Sequence, residues 1–247
     1  MENFNQAELK NLFKPDPSSH KGQNGKLMLI GGSHLFHAAS LWSLKVASRI
    51  VDMVFYSSVP ENNRIVQKEK EEFRDGIVVP RDKIDDYIHE SDAILIGPGM
   101  PREEGREREE EDTGEITTRL LTKYPEKKWV IDGGSLQTIK PEIIPHLAIL
   151  TPHKKEFETL FNLEPNEENI AKMAKKYQCV ILVKGEYDVV CNSEKCVKIE
   201  GGNPGMTKGG TGDVLAGLIA ALYCKNEACL SATAGLFINK KNRGRAL

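Results

Sequence analysis

Leu27-Met28-Leu29-Ile30-Gly31-Gly32-Ser33 is a short apolar run that stops at two glycines and a serine. Just beyond it, Ala38 to Val51 carries apolar residues at helical spacing. An apolar run without polar alternation predicts a strand covered on both faces. The helix after it supplies the crossover that a parallel neighbour needs. The same grammar repeats along the chain. Met53 to Tyr56, Ile77 to Val79, Ala93 to Ile96, Trp129 to Ile131, Leu147 to Leu150 and Val180 to Val183 are further short apolar runs, and Asp82 to His89 is an amphipathic stretch between two of them. The predicted fold class is α/β: a three-layer sandwich with a mostly parallel central sheet flanked by helices. Toward the end, Tyr187 to Asn192 and Cys196 to Ile199 read as a hairpin around Ser193-Glu194-Lys195. A glycine-rich loop from Gly201 to Gly212 follows, then a helix from Asp213 to about Tyr223 and another from about Ala228 to Asn239. No internal repeat is evident, and residues 1–247 suit one domain of this class.

Composition narrows the function. Hydrophobic residues make up 39% and charged residues 28% of the chain, as in a soluble globular enzyme. The formal net charge is −2, so no strong positive field exists to hold nucleic acid or an anionic membrane, and a small-molecule partner is favoured. No apolar run approaches the roughly 18–20 residues of a membrane span. Met1 to Lys10 lacks the apolar core of a signal peptide, so the cytoplasm is the expected compartment. The five cysteines, Cys179, Cys191, Cys196, Cys224 and Cys229, are odd in number and form no C-x-x-C pair. They are expected to be reduced, partly buried thiols, with no metal site. Pro101 to Gly114 is densely charged, which predicts a solvated loop or fraying helix, with a mobile lid as the alternative.

The chemistry concentrates in Gly209-Gly210-Thr211-Gly212-Asp213. Glycines let successive backbone N–H groups turn toward one point, and a helix start adds its own unpaired N–H groups and positive dipole end. Together these form an anion hole suited to a transferring phosphoryl group. Asp213 at the helix start either caps it or serves as a base that takes a proton from an attacking hydroxyl. Three glycines in the preceding four residues exceed what a cap requires and favour catalysis. The segment is neither a Walker A loop nor a G-x-G-x-x-G fingerprint.

In an open parallel sheet, ligands gather outside the carboxyl ends of the strands. Here those ends carry Gly31-Gly32-Ser33, Gly97-Pro98-Gly99, Asp132-Gly133-Gly134, Thr151-Pro152-His153 and Lys184-Gly185, which predicts a shared cleft. His153 is a ligand contact or a turn histidine. Lys184 reaches phosphate or lies on the surface. Glu156 caps or begins the next helix.

These motifs, with His20-Lys21-Gly22 before them and Asn203-Pro204-Gly205-Met206-Thr207-Lys208 leading into the glycine loop, stand in the order found in the NAD(P)H-hydrate dehydratases. The chain closely resembles that family from about His20 to Phe237. The resemblance implies a ribokinase-like fold and a reaction in which a purine nucleotide phosphorylates the hydroxyl of hydrated NADH or NADPH, after which phosphate leaves. On this likeness Asp213 is the base and also contacts the hydrate, and Gly209, Gly210, Thr211 and Gly212 stabilise the phosphoryl group in transit. Ala38, Gly99 and His153 match substrate-contacting positions. Lys184, Gly185, Glu186, Tyr187, Asp188 and Gly212 match the segment lining the adenine nucleotide. Mg2+ is expected to screen the phosphates. The Thr-Pro-His form at 151–153 is similar to the ADP-using branch, with ATP the alternative donor, and relatives of the stand-alone type imply a homo-oligomer, a tetramer. His37 stands where the family carries glycine, a bulk expected to narrow the substrate side. Asn239 to Arg245 is polar and loses the helical pattern, which implies a shortened C-terminal end. A small-molecule kinase of the same fold, of hydroxyethylthiazole or hydroxymethylpyrimidine type, and a non-catalytic nucleotide-binding module remain open.

Overall fold

The computed structural model describes residues 1–68, 76–102, 111–185, 188–201 and 208–243. Among them the strands are β1 (Glu2–Asn3), β2 (Lys26–Ile30), β3 (Met53–Ser57), β4 (Gly76–Val78), β5 (Ala93–Ile96), β6 (Lys128–Ile131), β7 (Ile149–Leu150), β8 (Val180–Val183), β9 (Asp188–Cys191) and β10 (Cys196–Ile199). They form one sheet in the order β1-β10-β9-β8-β7-β6-β5-β2-β3-β4. From β8 to β4 every pairing is parallel, whereas β9 runs antiparallel to β8 and to β10. The sheet therefore places the carboxyl ends of β2, β5, β6, β7 and β8 along one edge.

The α-helices are α1 (His37–Ala47), α2 (Pro60–Lys68), α3 (Ile84–Glu90), α4 (Thr113–Lys123), α5 (Gly133–Thr138), α6 (Lys154–Phe161), α7 (Glu167–Tyr177), α8 (Thr211–Tyr223) and α9 (Ala228–Arg243). Alternation along each strand decides what lies on each face. Met28, Ile30, Ile94 and Ile96 meet α3 to α7, while Leu27, Leu29 and Leu95 meet α1, α8 and α9. Burying both faces explains why the strands read as continuous apolar runs. The three layers predicted from sequence are present.

Where α1 crosses α8 the backbones come very close. A methyl group at Gly217 would stand 2.6 Å from Ser43 Cα and Ser43 O. Glycine is required there by space. The approach lets the buried Ser43 hydroxyl donate to the backbone oxygen of Asp213 at 2.8 Å, which ties the first turn of α8 to α1.

Three readings of the sequence need correction. The run from Leu147 overestimates β7, because Leu147 takes a left-handed conformation (φ 65) and is 66% exposed. Cys191 and Cys196 are not reduced thiols but a disulfide with Cα atoms 4.1 Å apart. The hairpin places them directly opposite each other, and Asn192 N–H donates to Lys195 O in the adjacent pair. That makes 191/196 a non-hydrogen-bonded pair, where side chains approach most closely. The polar closing stretch does not end the helix either. α9 continues to Arg243, with Asn239 and Lys240 buried along it.

Gly217→Val is expected to force α8 away from α1 and destabilise the chain by about 1–3 kcal/mol, the usual penalty of overpacking a tight contact. Denaturant unfolding of the variant beside the native chain checks this. An unchanged midpoint would show that the helix crossing is looser than described.

Candidate active site

Asp213 is the third residue of α8, so it does not cap the helix. The cap is Gly210, in the left-handed region at φ 89. A side chain at 210 would also strike the Trp42 ring at 2.3 Å, so both backbone angle and space demand glycine. Thr211 N–H leans on Lys208 O at a long 3.4 Å. Among the described residues, no backbone carbonyl accepts from the N–H groups of Gly209, Gly210 or Gly212. Such donors at the positive end of a helix suit an anion.

Asp213 opens onto a cleft of about 470 Å³, whose walls include Phe36, Ala39, Gly99, Gly134, Gln137 and Glu156. Small residues dominate at the strand ends, so a ligand approaches the backbone closely. Gly99 and Asp213, paired by sequence reasoning, do meet here. Ala39 lines the cleft, whereas its neighbour Ala38 is half-buried in the first turn of α1. His37 is exposed, and the cleft lining here comes from its neighbours Leu35, Phe36 and Ala39.

The electrostatics centre on Lys184. Its ammonium donates to Asp132 Oδ1 at 3.1 Å, and the same oxygen accepts from the Thr151 hydroxyl at 2.6 Å. A methyl group at Gly212 would lie 3.4 Å from Lys184 Nζ, so the lysine stands beside the start of α8. Burial works to lower its pKa, but Asp132, Glu156 and Asp213 outweigh burial and the net shift is upward. Lys184 is thus held in its charged form at the edge of the cleft. For Asp213, burial raises the carboxyl pKa, and the negative charge of Asp132 adds to it. Lys184 pulls the other way, and the balance places Asp213 at about 6. A carboxylate with that value is a better proton acceptor near neutrality than an ordinary aspartate.

His153 has a structural task. Its Nδ1 accepts from Glu156 N–H at 3.1 Å, and its own N–H donates to Glu156 Oε2 at 2.8 Å, which forms a capping box on α6. Glu156 also accepts from Gln137 Nε2 at 2.9 Å, a cleft-lining pair that sequence reasoning missed. The hydrogen bond from Gly185 N–H to Asp188 Oδ1, 2.7 Å, turns Asp188 inward, where it is 5% exposed. It therefore supports the Lys184-Gly185 turn from beneath. Glu186, Tyr187, the 203–207 part of the glycine loop and most of the charged segment after Pro101 lie outside the described residues. Arg102, which precedes that segment, lines the cleft. Gly22 and the residues around it sit at the opposite edge of β2, where Gly22 and Asn24 donate to Asp52.

A sequence profile described as NAD(P)H-hydrate dehydratase matches residues 27–244. The chain belongs to that family. A bifunctional NAD(P)H-hydrate repair enzyme from Methanocaldococcus jannaschii is 37% identical over 94% of this chain and 46% of its own length. An ADP-dependent (S)-NAD(P)H-hydrate dehydratase from Nitrosopumilus maritimus is 32% identical over 90% of this chain and 80% of its own. This chain thus spans about half the length of the bifunctional relatives. A ribokinase-like superfamily protein from Enterococcus faecalis has the same fold, with a TM-score of 0.83, 22% identity, and coverage of 97% of this chain and 86% of that one. So does an ADP/ATP-dependent NAD(P)H-hydrate dehydratase from Bacillus subtilis, with a TM-score of 0.78, 23% identity, and coverage of 97% and 87%. The predicted ribokinase-like fold is the observed one. Among the described residues, no helix is long and apolar enough to cross a membrane.

The raised pKa of Asp213 has a stability consequence. Between the usual 3.8 and about 6 the folded chain binds more protons at this group than the unfolded chain. Stability from this carboxyl is full at low pH and falls as pH rises through that window. Asp213→Asn should remove the slope and stabilise the chain at pH 7 by about 1–2 kcal/mol, after allowing for the part of the carboxyl that water reaches. Thermal unfolding of both proteins at pH 4 and 7 checks it. A variant no more stable than the native chain at pH 7 would contradict the shift.

Proposed function

We propose that the chain dehydrates NADH or NADPH hydrate at the expense of ADP, with ATP the alternative donor. The observation that carries the reading is Asp213, a partly buried carboxylate with its pKa at about 6, at the mouth of a helix start with available main-chain donors. Two relatives whose names specify ADP dependence support the choice of donor.

The residues divide the work. The hydrate lies in the cleft with its hydroxyl at Asp213, and the nucleotide enters from the Lys184-Gly185 side. Asp213 accepts the hydroxyl proton as the oxygen attacks the terminal phosphorus. The bond from phosphorus to the bridging oxygen breaks, and its electron pair leaves with the nucleoside monophosphate when ADP is donor. Negative charge on the phosphoryl oxygens meets the N–H groups of Gly209, Gly210 and Gly212 and the ammonium of Lys184, donors already in place. Hydroxide is a poor leaving group and phosphate a good one. The carbon–oxygen bond then breaks toward phosphate, a proton leaves the adjacent ring carbon, and the double bond of the dihydronicotinamide returns.

Mg2+ screens phosphate charge when it enters with a nucleotide. Among the described residues, no group of three or more His, Cys, Asp or Glu side chains forms a metal cage. Asp132 is held by Lys184 and Thr151, and Glu156 by the α6 cap and Gln137. The arrangement fits a cation held mainly by nucleotide phosphates and water.

Incubating the purified chain with hydrated NADH and ADP, and separately ATP, should restore absorbance at 340 nm, faster with ADP. Asp213→Asn should reduce the rate about 10²–10⁴-fold, the usual contribution of a positioned base, while nucleotide binding stays within about twofold. The native rate should climb with pH through about 6 and then level off. A phosphorylated product that accumulates without any gain at 340 nm would instead show a small-molecule kinase, and binding without turnover a nucleotide-binding module.

A further inference from the structure

Lys240 lies far along α9, in the polar stretch whose sequence loses the helical pattern. Its side chain is instead 6% exposed. The ammonium donates to Ile199 O at 2.8 Å and pairs with Asp188 Oδ2 at 3.0 Å. Asp188 uses its other oxygen, Oδ1, to accept from Gly185 N–H at 2.7 Å. A continuous chain of polar contacts thus runs from α9, through the buried first residue of β9, to the turn after β8. The residue just before that turn glycine is Lys184, which stands beside Gly212 and the start of α8.

Burying an ammonium and a carboxylate together is expensive, and such a pair does not gain stability over an apolar pair of the same shape. A lysine at this place in α9 could have been aliphatic if packing were its whole task. The pair does supply direction. One carboxylate, held by Lys240, is left with a single orientation in which it grips the Gly185 amide. We propose that Lys240 is a positioning residue for the phosphoryl donor: through Asp188 it fixes the Lys184-Gly185 turn against which the nucleotide lies. The inference rests on the functional reading above for what the turn binds, and on the hydrogen bonds for how it is held.

The test uses the full chain with Lys240→Met, Lys240→Arg, Asp188→Ala and the Lys240→Met/Asp188→Ala double variant. Denaturant unfolding first confirms that each is folded under assay conditions, and Lys240→Arg keeps a charged partner should Lys240→Met prove too unstable. Titration with ADP by calorimetry reads the donor site without turnover, so failure of the dehydratase reading does not obscure the result. ADP binding should weaken about tenfold in Lys240→Met and in Asp188→Ala, the scale of loss from a misplaced binding group. Lys240→Arg should recover most of it. The double variant should be no weaker than the worse single variant, because both act through one contact. In turnover assays KM for ADP should rise with KM for the hydrate held within about twofold. Unchanged ADP binding in Lys240→Met, additive losses in the double variant, or equal rises in both KM values would overturn the proposal.

Discussion

The whole site depends on keeping one carboxylate partly out of water at a helix start where, among the described residues, no backbone carbonyl accepts from Gly209, Gly210 or Gly212. Those two requirements oppose each other. Water around Asp213 would stabilise its charge but would also compete for the N–H groups of Gly209, Gly210 and Gly212. The structure resolves the conflict by burial, which lifts the Asp213 pKa to about 6, and by placing Lys184 close enough to limit the rise. The close crossing of α1 and α8 holds this geometry. Gly217 lets the helices approach, Ser43 binds the backbone of Asp213, and Trp42 lies over Gly210. A carboxylate with one oxygen-rich side and one donor-rich side is thereby aimed by helix packing.

The opposite wall is built from caps and strand ends. The His153–Glu156 capping box starts α6 beneath the cleft, and Glu156 reaches across to Gln137. Asp132 gathers Thr151 and Lys184 at the ends of three neighbouring strands. Asp132, Lys184 and Glu156 each satisfy a local structural demand, and each also sets the charge around Asp213. Structural and functional roles are therefore shared within the same side chains.

The layers and the cleft were legible because their signals are local. Apolar runs with no alternation gave the buried strands, and glycine-rich strand ends marked one edge. Three glycines before Asp213 singled it out, since a cap needs none of them, and the structure gives the cap to Gly210. What escaped depends on distance in sequence. Lys240 and Asp188 are far apart in the chain, and only folding shows that a polar tail packs inward. Cys191 and Cys196 lie on the two strands of a hairpin that the sequence does predict, yet they become partners only through the cross-strand register that folding sets. The capping box of His153 also escaped, because at a strand end a histidine that caps a helix leaves the same trace as one that faces a substrate. Leu147 joined a strand on hydrophobicity alone, although its backbone adopts a turn conformation.

Titration of the Asp213 carboxyl by carbon-13 NMR measures the central physical claim directly, because the signal reports the ionisation of that group. The account predicts a midpoint at about 6 in the free protein. A midpoint near the usual 3.8 would mean that the carboxylate is solvated and unstrained by its acidic neighbours, and would contradict the assignment of Asp213 as the base.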